Sequence, residues 1–204
     1  RKDLGGWCIE GRCGACVLGG LLCGGRCTQG LGGAPQSCAW ELAAIEGVGG
    51  TDTGFGLDRA PKRSEAAVML VRLYGAEEEA LSLYEAGLIA HPFEDVSGWA
   101  APYLAWLYSE GLVRGVSETR YGADAPCRAR DYALFLLRAL GYDDTKGDFA
   151  WDHSMEFAVT CGNLSQNERS AVEKAGFQRD QMVYLSYCTL FATKKGGSRI
   201  LLDE

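Results

Sequence analysis

Apolar residues recur along this chain at helical spacing. Ala66, Met69, Leu70 and Leu73 fall at i, i+3, i+4 and i+7, and Gly75 follows as a stop. Tyr132, Phe135, Leu136 and Ala139 repeat the spacing and run into Gly141. Ala100, Leu104 and Leu107 make a third stripe, closing at Gly111. Glu77–Leu88 predicts an amphipathic helix with Leu81, Tyr84 and Leu88 on its apolar side. Ser165 and Glu168 have the spacing of a capping box, in which each side chain satisfies the other residue's backbone N–H, so a helix is expected from there through Ala175. A last helix is expected over about Asp180–Phe191. Strand signals are sparse, and the expected fold is mainly α.

These pieces repeat. Ala67–Gly75 aligns with Ala133–Gly141, and upstream Gly47–Gly50, Phe55 and Pro61 match Gly111–Gly115, Tyr121 and Pro126. A weaker third copy runs from Phe149 and Trp151 through Gly162 to Arg179 and Phe191. The unit is a helix, a glycine-bounded turn, a short extended segment and a second helix. Each copy is too small to bury its own apolar faces, so the copies are expected to pack on one another.

Composition separates a head from the rest. Six of the nine cysteines lie in the first 38 residues, with 11 of the 28 glycines, and this step places a boundary near Ser37–Trp40. Three readings of the head stay open. Cys13, Cys16, Cys23 and Cys27 could hold a soft metal, but only six residues separate the two pairs and no His joins them. An even cysteine count also suits a disulfide-stapled segment in an oxidising compartment. The favoured reading is a functionless head, disordered or translated out of frame, because dense glycine makes folding entropically costly. The chain begins at Arg1 rather than Met, as a fragment, a processed product or an imperfect reading frame would. The lack of a visible secretory signal therefore decides nothing.

The formal net charge is −7, and −9 beyond residue 38, which argues against a nucleic-acid partner. No apolar run approaches the length of a membrane span. No nucleophile elbow, zinc-protease helix or phosphate-binding glycine loop is present, so no enzyme and no cofactor are expected. His91 and His153 lack a Cys or Ser partner at any recognised spacing and read as ordinary helix-end or surface residues. Asp143–Asp144 and Glu77–Glu79 read most simply as solvated, with weak cation binding by a carboxylate pair as the alternative.

Phe93-Glu-Asp95-Val-Ser-Gly-Trp99-Ala100 resembles the opening of an S-layer homology (SLH) repeat, F-x-D-V followed shortly by W-A. Gly111–Gly115 resembles that family's G-I-I-x-G turn, and Lys62-Arg63-Ser64-Glu65 its T-R-A-E motif. The resemblance spans roughly residues 40–191. It divides the chain into the head (1–38), a first repeat with an extra helix (39–91), a second repeat (92–147) and a degenerate third repeat with the tail (148–204). It implies tandem helical repeats packed as a pseudo-threefold assembly on a bacterial cell surface. It also implies a non-catalytic module that anchors to an acidic, often pyruvylated, wall polysaccharide in grooves between repeats, with the T-R-A-E arginine as a principal contact.

The physics supports a carboxylate site at Arg63. A helix N-terminus offers unpaired N–H groups and partial positive charge, and a guanidinium adds bidentate recognition. The pattern departs from the family at three points: Lys62 stands where Thr would cap the first helix, the second copy reads Arg128-Ala129-Arg130-Asp131, and the third reads Gln178-Arg179-Asp180-Gln181. The expected ligand residues are Arg63, Glu65, Asp95, Arg130, Arg179 and Trp106. For Asp95 the first expectation is a cap on the helix carrying Trp99. Trp99 is expected in the core, while Trp106 is open to either core or sugar stacking. The alternative function is a structural protein of the bacterial surface, whose repeats pack on further copies or on a surface-layer protein.

Overall fold

The computed structural model describes residues 56–96, 98–198 and 201. The cysteine-rich head, Trp40 and the opening of the first repeat lie outside the described residues. The described residues form an all-α fold of seven helices: α1 (Arg63–Leu73), α2 (Glu77–Glu85), α3 (Ala101–Ser109), α4 (Ala129–Ala139), α5 (Ser154–Thr160), α6 (Gln166–Ala175) and α7 (Arg179–Leu190). The extended pairing among them is one antiparallel bridge, between Lys62 and Pro126.

Helices α1, α4 and α7 each touch the other two and form the centre, while α3 crosses α1 and α2, α5 packs on α4, and α6 on α5. Central position explains why α1 is buried on more than the predicted stripe: Ser64 and every residue from Ala66 to Val71 are buried. Its small residues Ala66 and Ala67, both 0% exposed, let neighbouring backbones approach closely. In α4 the predicted Tyr132, Phe135, Leu136 and Ala139 are all buried. The Tyr132 hydroxyl is completed by Ser186 of α7 at 2.6 Å, so the buried polar atom is not left unpaired. Both helices end as expected, with Gly75 (φ 67°) and Gly141 (φ 86°) in the left-handed region that a side chain disfavours. The Ser165–Glu168 box forms, each side chain accepting the other residue's N–H.

Two expectations about burial are reversed. On α2, Leu81 (37% exposed) and Tyr84 (36%) face outward, as does Leu88 beyond it (71%), whereas Ala80 is fully buried. The helix is held by its first residue instead: Glu77 accepts from Arg72 Nη2 at 2.9 Å and from the Tyr103 hydroxyl at 2.6 Å. With that end fixed, the small Ala80 side is the one that fits closely against α3. Trp99, expected in the core, lies outside it, and Trp106, left open between core and sugar stacking, is in it. Trp99 is 56% exposed, whereas Trp106 is 7% exposed and packs on Tyr74 with ring centroids 5.5 Å apart.

Asp143 and Asp144 are not simply solvated. Asp143 accepts the Thr145 N–H at 2.9 Å, and Asp144 takes Arg138 in a two-pronged pair at 2.9 and 3.1 Å. His91 accepts the Phe93 N–H at Nδ1 and stacks on that ring, and exposed His153 lies 3.0 Å from Asp152. No described helix is long and apolar enough to cross a membrane.

Candidate functional site

Arg63 opens α1 where that helix meets the segment leading into α4. The Arg63 N–H donates to Ala125 O and the Ser64 N–H to Ala123 O, both at 3.0 Å, and the Cys127 N–H returns a bond to Pro61 O at 2.8 Å. The first amides of α1 are therefore occupied by chain carbonyls. The idea that this helix end offers free N–H groups to a ligand is corrected, and recognition at Arg63 falls to its side chain.

That side chain lies over two aromatic rings. Its guanidinium carbon lies 4.7 Å from the centroid of Tyr121 and 5.8 Å from that of Phe135. Nε donates to Tyr121 O at 3.1 Å. The cation is attracted to the ring faces and fixed in orientation. Among the described residues no carboxylate lies within ion-pair distance of Arg63. A planar guanidinium suits two-pronged recognition of a carboxylate.

Asp95 builds the floor under Tyr121. Its Oδ1 accepts the Tyr121 N–H at 2.8 Å and its Oδ2 the Gly122 N–H at 2.7 Å. Burial works to raise the Asp95 pKa, but the bonds from the Tyr121 and Gly122 amides outweigh it and hold the carboxyl below its ordinary value. Asp95 does not cap the helix after Trp99. The residue preceding α3 is Ala100, which has no side-chain cap. Each of its oxygens accepts one backbone amide.

Glu65 and Arg179 are given to each other. Glu65 accepts the Lys62 N–H at 2.8 Å, pairs with Arg59 and lies 3.1 Å from Arg179 Nη1. Burial pushes the Glu65 pKa up, but the Arg59 hydrogen bond, the Lys62 amide and the nearby guanidinium charges hold it below its ordinary value. Arg179 is 4% exposed, and burial lowers its pKa against the pull of Glu65. The start of α7 is closed as α1's is: the Arg179 and Asp180 N–H groups donate to Arg59 O and Leu57 O, both at 3.0 Å. Trp106 is core and contributes no sugar-stacking face.

Arg130 stands apart from Arg63. Its guanidinium carbon lies 5.2 Å from the ring of Trp151, itself 53% exposed, and its Nε is buried without a hydrogen-bond partner. The nearest carboxylate, Asp131, is 3.8 Å from that nitrogen and is engaged by Arg128 at 2.8 and 3.2 Å. Asp is one methylene shorter than the Glu at the corresponding place in α1, and it meets the Arg128 guanidinium where Glu65 reaches back to a backbone N–H.

Beside the start of α4, a cleft of about 340 Å³ is walled by Pro126, Cys127, Ala129, Val172 and Phe177, with Arg128 and Glu173 as its charged members. Ala129 opens α4 as Arg63 opens α1 and Arg179 opens α7. At this junction the chain ahead of α7 is helix α6 rather than an extended strand. The cleft is mostly apolar, and burial pushes the Cys127 thiol up to about 12, which disfavours its thiolate.

Of the six residues singled out by sequence, the structure brings Glu65 and Arg179 together and seats Asp95 beneath Tyr121, the ring against Arg63. It places Arg130 at α4 and Trp106 in the core. Sequence reasoning missed Tyr121 and Phe135 as partners of Arg63, and Arg59 as a partner of Glu65. The match of Tyr121 to Phe55 in the repeat alignment marked an aromatic position but not its neighbour. Among the described residues no group of three or more His, Cys, Asp or Glu is placed to hold a metal ion. No protein-family model matches the chain, and no curated protein is significantly similar to it.

Proposed function

We propose that this chain is a non-catalytic anchoring module that binds an acidic cell-wall polysaccharide of the bacterial surface, with Arg63 as its carboxylate receptor. The observation that carries the reading is the Arg63 side chain: stacked, fixed at Nε, and without a carboxylate partner among the described residues. A guanidinium prepared in this way has a favourable place for a sugar carboxylate, with no internal competitor among the described residues.

The organisation of the helices supports an SLH-like assembly of repeats with pseudo-threefold packing. α1, α4 and α7 meet one another, and each of α1 and α7 has its first two amides bonded to carbonyls of the extended segment that leads into a neighbouring central helix. The same relation recurring at two junctions is what stacked copies of one unit produce. The junctions differ chemically. Arg179 is neutralised by Glu65, and the α4 junction presents Ala129 in an apolar cleft. The Arg63 junction is therefore the one assigned to the glycan.

The test is sedimentation of the full chain with purified wall sacculi, before and after removal of pyruvyl groups. Retention that disappears with the pyruvyl groups is the expected result. Equal retention on both preparations removes the carboxylate mechanism. The assembly reading draws on the outward-facing Leu88 and Trp99, which would suit protein packing. Concentration-dependent oligomers in light scattering, with no glycan retention, would favour it.

A further inference from the structure

Independently of the glycan reading, we infer that the cleft beside α4 docks a Gly-x-Asp-x turn of another polypeptide, with the turn's Asp against Arg128 and the carbonyls on either side of that Asp on the Ala129 and Arg130 amides.

The starts of α1 and α7 define the fit. The first two amides of α1 are taken by Ala125 O and Ala123 O, and those of α7 by Arg59 O and Leu57 O, all at 3.0 Å. Each pair of acceptors belongs to a four-residue turn, closed by the Ala125 N–H on Gly122 O at 3.0 Å and by the Arg59 N–H on Gly56 O at 3.4 Å. The turns read Gly-Ala-Asp-Ala over 122–125 and Gly-Leu-Asp-Arg over 56–59, so an Asp stands between the two acceptors in both. The side chain preceding each helix reaches that Asp residue: Lys62 Nζ meets Asp124 Oδ1 at 2.6 Å, and Gln178 Nε2 donates to Asp58 O at 2.9 Å. The second turn residue points to the interior, Ala123 being buried and Leu57 packed against the core.

At α4 the receiving half of this arrangement is present. Among the described residues the Ala129 and Arg130 N–H groups make no hydrogen bond, and the chain ahead of α7 is helix α6 rather than a turn of this kind. Arg128 stands where Lys62 and Gln178 stand, and its side chain is 62% exposed beside its pairing with Asp131. The cleft next to these groups is walled by Pro126, Val172 and Phe177, which suits the apolar second residue of a turn. Gln181 adds an independent sign. It is the third residue of α7 as Glu65 is of α1, and Glu65 reaches the residue opening the next helix, Arg179, at 3.1 Å. Carried to α7, that relation turns Gln181 toward Ala129, and Gln181 is 1% exposed with its Nε2 buried and unpartnered. Orphan donors beside an apolar cleft favour a ligand that brings carbonyls.

The experiment follows backbone amides by NMR as the full chain is titrated with a backbone-cyclised peptide of the sequence Gly56–Pro61, in which the turn is preorganised. Binding should slow solvent exchange at the Ala129 and Arg130 amides, and the Asp58→Lys form of the peptide should bind more weakly. A helix accepts Pro as its first residue, and Arg128 already has the extended backbone that precedes Pro (φ −97°, ψ 156°). Ala129→Pro therefore deletes one donor while keeping α4, and should weaken the peptide about three- to tenfold. Ala129→Arg, which fills the cleft with the side chain that opens α1 and α7, should abolish binding. No response of these amides at millimolar peptide overturns the inference, as does equal affinity in wild type and Ala129→Pro. Ala129 and Arg130 amides already protected in the free chain would show the place to be taken by the chain itself and would overturn a partner there.

Discussion

Replacing Asp95 with Ala should loosen the loop that carries Tyr121 and lower the stability of the whole chain. Two backbone amides would lose a charged acceptor, at 2.8 and 2.7 Å in the wild type. A hydrogen bond to a charged group contributes about 1.5–3 kcal/mol, and partial exposure of Asp95 lets water replace some of it, so the expected loss is about 2–4 kcal/mol. The pH dependence follows from the depressed pKa. A carboxyl held below its ordinary value in the folded state contributes stability that is fully present above the unfolded pKa of about 3.9 and is lost as pH falls through the folded value. Urea unfolding of wild type and Asp95→Ala should therefore differ by this amount at pH 7, with the gap closing as the pH is taken below about 4. A difference under about 1 kcal/mol at neutral pH, or one that does not close in acid, would show that Asp95 does not organise this loop.

Other substitutions probe separate parts of the account. At Gly115 a Cβ would meet Ser117 O at 2.3 Å, Arg120 O at 2.6 Å and Phe93 Cε1 at 2.6 Å, so Gly115→Ala should cost about 3 kcal/mol or more in urea unfolding. Trp106→Ala should cost about 3–5 kcal/mol, while Trp99→Ala should stay within about 0.5 kcal/mol; the opposite order would contradict the burial of Trp106 and the exposure of Trp99. Glu65→Gln removes the carboxylate charge 3.1 Å from the nearly buried Arg179 Nη1 and beside Arg59, and should cost about 2–4 kcal/mol at pH 7 by thermal or urea unfolding. Because the Glu65 carboxyl is held below its ordinary value, that cost should shrink as the pH drops below about 4.3.

What was legible in the sequence was local. The ends of α1 and α4 follow from glycines that accept a left-handed backbone, and the start of α6 from two side chains three residues apart. These signals act within a turn, so neighbours in sequence suffice to read them. Burial was less legible. The Leu81, Tyr84 and Leu88 side of α2 has the right periodicity for a core face, yet the ties of Glu77 to Arg72 and Tyr103 set the helix with Ala80 inward. The choice between Trp99 and Trp106 likewise depends on where Tyr74 lies.

The site divides in the same way. A motif likeness marked Arg63, Glu65 and Arg179, but it could not say which arginine keeps its charge available. That depends on a Glu65–Arg179 pair more than a hundred residues apart in sequence, and on Tyr121 being the ring beneath Arg63. Asp95 was read as a local cap, while its partners lie 26 and 27 residues away. Asp has both uses, and only the folded chain decides between them.

The most direct measurement is the equilibrium affinity of the full chain and its Arg63→Ala and Arg63→Lys variants for purified pyruvylated wall polysaccharide, with folding of each variant checked by circular dichroism. Loss of a fork-shaped carboxylate contact should weaken Arg63→Ala by about tenfold or more, with Arg63→Lys keeping the charge but recovering only part of the affinity. Folded Arg63→Ala that binds as tightly as wild type would contradict the claim that this stacked guanidinium is the acid receptor.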